Sequence, residues 1–533
     1  MAAPSFDYDW IVIGSGFGGS VSALRLAEKG YRVAVLEAGE RYADHEYAAT
    51  TWNLRRFLWA PAFGLRGIFR LARFKDIFIS AGTAVGGGST VYANTLYRAK
   101  PAFFENEQWQ GLEDWEPALA PHYVEAERML GVQQVPFGTD GQELLKAVAG
   151  HFGVSDTFTR TPVGVFFGAP DEEVPDPYFG GEGPARTGCT RCGACMVGCR
   201  VGAKNTLLKN YLWFAEKKGA VIFAGHGVVD VRPIGASDGS EGYEVVTERP
   251  GAWFFRHQRT FRARGIVFAA GALGTNELLA TLKHSGSLPN LSDRLGELVR
   301  TNSESILAVT LPDDRLKPWA DVAISASIHP DADTHIEFCT FGKGGDFLSL
   351  LLAPLTGNGT RLTRPLMLLG QIVRHPLRFL RARWPFGWSR RTLVVLVMQS
   401  SDNAMAFRAK RRWFGRGVAL RTEQDPERPN PTFIPKANEA AEFLARYTGG
   451  IAQSGLLEAA ANIPTTAHIL GGAVIGADAT RGVVDSRHRV FGYERMMICD
   501  GSTMPANPGV NPSLTITALA EHAMAQVPAA ERS

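Results

Sequence analysis

Residues 8–37 constrain this chain more than any other stretch. Tyr8-Asp-Trp-Ile-Val-Ile13 is an apolar run of strand length that enters Gly14-Ser-Gly-Phe-Gly-Gly19. Val21-Ser-Ala-Leu-Arg-Leu-Ala-Glu-Lys29 reads as a helix, Gly30 stops it, and Arg32-Val-Ala-Val-Leu-Glu37 reads as a second strand. Strand, glycine turn, helix and strand within about thirty residues make a βαβ unit, whose two strands lie parallel in one sheet. The glycines fit G-x-G-x-x-G at Gly14, Gly16 and Gly19. Gly14 suits the tight turn, Gly16 lets a pyrophosphate approach the backbone at the helix N-terminus, and Gly19 lets helix and strand pack closely. Glu37 lies 18 residues past Gly19, at the strand end where an acid holds ribose hydroxyls. An acid there disfavours a 2′-phosphate, so FAD or NAD is expected rather than NADP.

Three further pieces are spread along the chain. Gly82-Thr-Ala-Val-Gly86-Gly87-Gly88-Ser89, with Asn94 after it, is too glycine-rich for the interior of a helix or strand and lets backbone N–H groups approach a ligand. Gly265-Ile-Val-Phe-Ala-Ala270-Gly271-Ala-Leu-Gly-Thr reads as a buried strand, a turn and a helix over 275–282. His468-Ile-Leu-Gly-Gly is followed by the strand Met497-Ile-Cys, the turn Asp500-Gly501, and Gly509-Val-Asn511-Pro512-Ser before a helical run. In their order and spacing these pieces resemble the glucose–methanol–choline (GMC) family of flavin oxidoreductases, in particular a sterol-oxidising branch. The resemblance implies an α/β fold, with a Rossmann-like FAD-binding domain and an interleaved α+β substrate or cap domain. It also implies FAD rather than NAD. The FAD-binding domain is expected from segments 1–50, 76–100, 200–305 and 465–530. Segments 101–200 and 306–464 would form the substrate domain, including the cysteine-rich loop 188–204.

The same resemblance suggests roles for single residues. Gly86, Gly87, Gly88, Ser89 and Asn94 would lie beside the isoalloxazine, and Val229 would meet the adenine. Ala270, Gly271, Asp500, Gly501, Asn511 and Pro512 would face the cofactor. His468 and Asn511 would form the reacting pair. A histidine tuned near neutral pH handles the hydroxyl proton of an alcohol, and an asparagine can orient the oxygen and stabilise developing alkoxide charge. The branch also uses a glutamate in its substrate domain, for which Glu337 in His335-Ile-Glu-Phe is the candidate. His488 and His522 are expected to be surface or structural residues. An electron-transfer flavoprotein without its own alcohol is the reading from another class, and His468 with Asn511 argues against it.

Six cysteines are too few for a disulfide scaffold of 533 residues, yet four fall together as Cys189-x2-Cys192-x2-Cys195-x3-Cys199. The spacing matches the bacterial ferredoxin run, with Arg200 in place of the usual proline. An iron–sulfur cluster, [4Fe–4S] or [3Fe–4S], is the leading expectation; structural zinc or unmetallated thiols are the alternatives. A cluster would make the protein a dehydrogenase passing electrons to an external carrier protein or quinone. Without one, oxygen would be the acceptor and peroxide the product.

With 56 Lys and Arg against 53 Asp and Glu, no concentrated basic excess suggests nucleic acid. The N-terminus shows no signal-peptide pattern, so a cytoplasmic location is expected. One stretch qualifies this. Residues 347–397 carry long apolar runs, and from Arg361 to Arg391 there are eight Arg, one His and no acid. Basic plus apolar without acids suits peripheral contact with an anionic membrane; solvated arginines on a helical cap are the plainer reading. The Leu-rich composition of that stretch, with the aromatics, suggests a bulky apolar alcohol such as a sterol or long-chain alcohol.

Overall fold

A computed structural model describes residues 5–412 and 417–531. Residues 1–4, part of the N-terminal stretch read for targeting, lie outside that range. The fold is α/β and is organised by two seven-stranded sheets.

The first sheet grows from the βαβ unit. Tyr8–Ile13 is central, paired in parallel with Val33–Glu37 on one side and Arg259–Phe268 on the other. Val221–Ala224 extends the parallel set beyond Val33–Glu37. Arg259–Phe268 is longer than the run of apolar residues suggests. Its first half alternates outward Thr260, Arg262 and Arg264 with inward Phe261 and Ala263, the pattern of a half-buried strand. That half pairs antiparallel with Tyr243–Glu248, which pairs with Gly227–Pro233. Its all-apolar second half pairs in parallel with Met496–Ile498. The carboxyl ends of the parallel strands therefore converge on one edge, where open α/β sheets bind ligands. Helices Phe17–Glu28 and Ser513–Ala525 pack on each other and contribute to this core.

The second sheet is antiparallel. Its order is Leu352–Pro354, Ile451–Gly455, Ser305–Thr310, Thr392–Gln399, Thr334–Cys339, Ile324–Ile328 and Thr159–Arg160. Successive side chains alternate faces. Leu307, Val309, Ile336, Phe338, Val395 and Val397 turn to helices Asp140–Phe152 and Pro435–Thr448 and form one core with them. Burying each such side chain contributes about 1.5–3 kcal/mol. The opposite parity, which includes Ile306, Glu337, Cys339, Val394 and Leu396, is left to face the first sheet. Register places Ser327, Glu337, Leu396 and Ile306 in one cross-strand row.

The apolar stretch 347–397 divides. Residues 347–354 form a 3-10 turn and an edge strand, and 392–399 a central strand. Between them stand helices Thr363–Arg374 and Pro376–Arg383, lying on the outside of the molecule.

Candidate active site

Between the sheets runs a cavity of about 710 Å³. Its first part follows the carboxyl edge of the first sheet. Gly14 turns there with φ of 104°, and a Cβ on it would meet Ala269 O at 2.3 Å, so only glycine fits. Gly19 lies beneath the wall, and a Cβ there would sit 2.1 Å from Gly14 O. Gly87 joins the two glycine clusters, since its Cβ would lie 2.6 Å from Gly16 Cα. Gly16 itself faces open space on the wall. The wall also includes the starts of helices Phe17–Glu28, Gly271–Ser285 and Ser513–Ala525, whose unpaired N–H groups suit an anion such as a diphosphate.

Glu37 closes this part. It is buried, accepts from Ser15 N at 3.0 Å and Ser15 Oγ at 2.7 Å through one oxygen, and from Gly39 N at 2.8 Å through the other. Burial raises its pKa against those hydrogen bonds. Asp500 accepts from Gly271 N at 2.9 Å, Thr275 Oγ1 at 2.5 Å and Ser502 N at 2.8 Å, which ties the turn after Phe268 to the turn after Ile498.

Of the residues singled out from sequence, Gly14, Gly16, Glu37, Gly87, Gly88, Val229, Ala270, Gly271, Asp500, Gly501, Asn511, Pro512 and His468 line this cavity. Others stand behind it. Gly86 N donates to Ser15 Oγ, and Ser89 Oγ donates to Gly86 O while accepting from Leu207 N. Asn94 is fully buried with φ of 70°, and both ends of its amide lack a protein partner. His488 and His522 are buried structural residues, bonded to Ile498 O and Glu113.

The second part of the cavity is apolar, walled by Ile306, Ile324, Cys339, Phe341, Val394 and Leu396. Of the Leu-rich stretch 347–397, only Val394 and Leu396 reach it; in helix Thr363–Arg374, Leu366 and Leu369 point outward and Leu368 packs on Ala353 and Ala459. The Leu-rich helices therefore do not build the pocket expected from them; the strand parity of the second sheet supplies the wall.

Where the two parts meet, four polar residues come together. His468 Nδ1 lies 3.4 Å from Glu304 Oε2, which leaves Nε2 for a ligand. The same Glu304 oxygen accepts from Thr466 Oγ1 at 2.6 Å and Ala467 N at 2.8 Å, so the carboxylate holds the histidine's own loop. Burial works to lower the His468 pKa, but the interaction with Glu304 outweighs it and the net shift is upward. Asn511 faces Glu337, which is fully buried. Burial pushes the Glu337 carboxyl up to about 8, against the opposing influence of Asn511 and His468. His335 Nε2 is 3.1 Å from Glu337 Oε1, off the hydrogen-bonding direction, and burial lowers this imidazole to about 3, so it is neutral. Both Glu337 oxygens, Asn511 Oδ1 and Glu304 Oε1 lack protein hydrogen-bond partners, an arrangement suited to completion by a ligand.

Sequence reasoning did not find Glu304. Its burial, after Asn302 and Ser303 at positive φ, shows only in the folded chain.

The cysteine run forms a loop pressed between this site and the second sheet. Cys189, Cys192, Cys195 and Cys199 border one small cavity, with Lys204 and Asp321. Among the described residues no three His, Cys, Asp or Glu side chains are placed to hold a metal ion. Neither structural zinc nor the expected iron–sulfur cluster therefore finds support in this arrangement. What the loop visibly does is structural. Met196 joins the cavity wall, and the Lys204 ammonium donates to Cys195 O at 2.9 Å, Tyr92 O at 2.8 Å and Thr90 O at 3.2 Å.

Comparison with known proteins agrees with this layout. Residues 9–52 match an FAD binding domain, and residues 397–520 match the GMC oxidoreductase family. A cholesterol oxidase of Mycobacterium tuberculosis is 49% identical over 97% of this chain and 90% of its own length. A cholesterol oxidase of Acinetobacter baumannii is 46% identical over 99% of this chain and 96% of its own. The crystal structure of pyridoxine 4-oxidase from Mesorbium loti shares the fold, with a TM-score of 0.59 at 15% identity over 97% of this chain and 98% of that one.

Proposed function

This chain belongs to the GMC oxidoreductase family of FAD-dependent enzymes acting on CH–OH donors, and we propose that it oxidises a sterol-class alcohol to the ketone, with oxygen as electron acceptor. The observation that carries the reading is the meeting of His468–Glu304 with Asn511–Glu337 at the join between a dinucleotide groove and an apolar chamber.

The groove residues fit FAD: Gly16 leaves its path open, Gly14 and Gly87 let the backbone close up behind it, Glu37 suits the ribose hydroxyls, and three helix N-termini suit the diphosphate. Bound FAD supplies the two-electron acceptor for the hydride of the carbinol carbon. The protein contributes the rest. Ile306, Val394 and Leu396 take the apolar body of the alcohol and exclude water, which strengthens the polar contacts at the join. Asn511 orients the hydroxyl. His468 Nε2 takes its proton, with Glu304 stabilising the imidazolium that forms. Glu337 keeps a neutral, proton-bearing group beside Asn511 at neutral pH, so no second negative charge opposes the developing alkoxide.

Two relatives named cholesterol oxidase support both the sterol class and the oxygen acceptor. Exit of electrons through the cysteine run to a carrier is the competing reading, favoured only by the four thiols bordering one cavity. Anaerobic titration with sterols, fatty alcohols and short alcohols tests the substrate class. Sterols should bleach the flavin fastest; bleaching by none of them would leave the chain without an alcohol substrate. Iron and acid-labile sulfide in anaerobically purified protein would favour the carrier.

A further inference from the structure

A surface helix of a globular protein turns its apolar stripe to the core. Helix Thr363–Arg374 does the reverse. Leu366, Leu369 and Val373, with Leu362 just before the helix, follow helical spacing and are 57–80% exposed. Its inward face is held largely by polar anchors. Arg364 is fully buried, 3.2 Å from Glu458 Oε1, and Gln371 Nε2 donates to Leu355 O at 2.6 Å, beside Leu368 on Ala353 and Ala459. Helix Pro376–Arg383 continues the outward pattern with Leu377 and Leu380, and then Trp384 and Phe386, all more than half exposed.

Charge accompanies this face. The eight arginines between 361 and 391 meet no acid within the segment. Among the described residues Arg374, Arg378, Arg381 and Arg390 form no salt bridge, whereas Arg361 and Arg364 do. Arg378, Arg381 and Arg391 also line a surface cleft of about 980 Å³ together with Trp384 and Arg446, and Glu442 is the only acid in its wall.

We propose that this helix pair is a docking element for an anionic lipid bilayer. The exposed Leu, Val, Trp and Phe side chains enter the acyl boundary, and the arginines lie at the level of the phosphates, with the cleft receiving a lipid phosphate. No helix among the described residues is long and apolar enough to cross a membrane, so these helices lie in the plane of the surface. A second copy of this chain is a poorer occupant, because docking this face on itself would oppose arginine to arginine. The element is also joined to the cavity wall. Arg361 donates to Asp76 Oδ1 at 2.6 Å, and Asp76 sits in the turn between strands Phe69–Arg73 and Phe78–Gly82, whose Phe69, Arg70 and Ser80 line the cavity. The proposal does not depend on which alcohol the site oxidises.

The test is co-sedimentation of the full-length flavin-loaded protein with sterol-free vesicles. One set holds phosphatidylglycerol and phosphatidylcholine in about equal parts; the other holds phosphatidylcholine alone. The wild type should pellet with the anionic vesicles and at least about tenfold less with the neutral ones. Leu366→Ser/Leu369→Ser/Val373→Ser and, separately, Arg378→Glu/Arg381→Glu should each weaken binding about tenfold or more. These side chains point outward, so flavin content and turnover of a detergent-solubilised alcohol should stay at the wild-type level. A wild type that ignores anionic vesicles, or variants that bind them as well as the wild type does, would overturn the proposal. So would a triple variant whose only change is from dimer to monomer in light scattering, since the face would then pair two copies.

Discussion

Glu304→Gln isolates the electrostatic part of the proposed mechanism. Glu304 Oε2 already accepts from Thr466 Oγ1 and Ala467 N, while Oε1 has no protein partner. A glutamine with its carbonyl at the Oε2 position keeps both bonds and changes only the charge. That charge lies 3.4 Å from His468 Nδ1. Two unit charges at this distance attract by about 5 kcal/mol at an effective dielectric constant of about 20. One pH unit corresponds to about 1.4 kcal/mol, so even a third of the attraction is visible in a titration. The carboxylate favours protonated His468, so removing it lowers the pH at which the base becomes available. The acid limb of kcat/KM should therefore move to lower pH by more than about one pH unit. The plateau should fall as well, because a weaker base takes the proton less readily. The assay is initial-rate kinetics across pH with a saturable alcohol, alongside a melting curve to show that the fold is kept. An acid limb that stays in place, or moves to higher pH, would refute the assignment of His468 as the base held by Glu304.

Other outcomes follow from the same geometry. The Glu337 carboxyl is held protonated up to about pH 8, against an ordinary value of 4.5. Its stabilising contribution is complete below about pH 4.5 and is lost as pH rises through about 8; in denaturant unfolding Glu337→Gln should thus match the wild-type stability near pH 5 and exceed it by a few kcal/mol at about pH 9. Gly16→Ala places a Cβ that meets only Gly87 Cα, at 4.0 Å, so the variant should fold yet carry at least about tenfold less flavin by visible absorbance, because the methyl enters the diphosphate path. Leu396→Phe narrows the apolar chamber and should raise KM for a sterol about tenfold while leaving a short alcohol nearly unchanged. Lys204→Met leaves Thr90, Tyr92 and Cys195 carbonyls without their buried donor and should cost about 3 kcal/mol in denaturant unfolding.

Features governed by local rules are legible in the sequence. Gly14, Gly16, Gly19 and Glu37 could be read because a parallel strand, a tight turn and a helix start each demand particular residues at fixed spacing. Glu337 was only a guess, since its meeting with Asn511 depends on strand parity in one sheet and a turn beyond the other. Glu304 was not foreseen for the same reason: its partners, Thr466 and His468, are more than 160 residues away. The leucines of 362–380 misled the substrate argument because helical periodicity marks a stripe without saying whether it faces in or out. The cysteine spacing resembles a cluster-binding run, yet the loop's visible contacts are those of Met196 and Lys204 with the site.

The central claim is oxidation of a sterol-class alcohol through FAD to oxygen. The most direct measurement is the stoichiometry of ketone, oxygen and peroxide during turnover of a sterol in air with no other acceptor. One ketone and one peroxide are expected for each oxygen consumed. Ketone that appears only when a dye or carrier is added, with no peroxide, would contradict it.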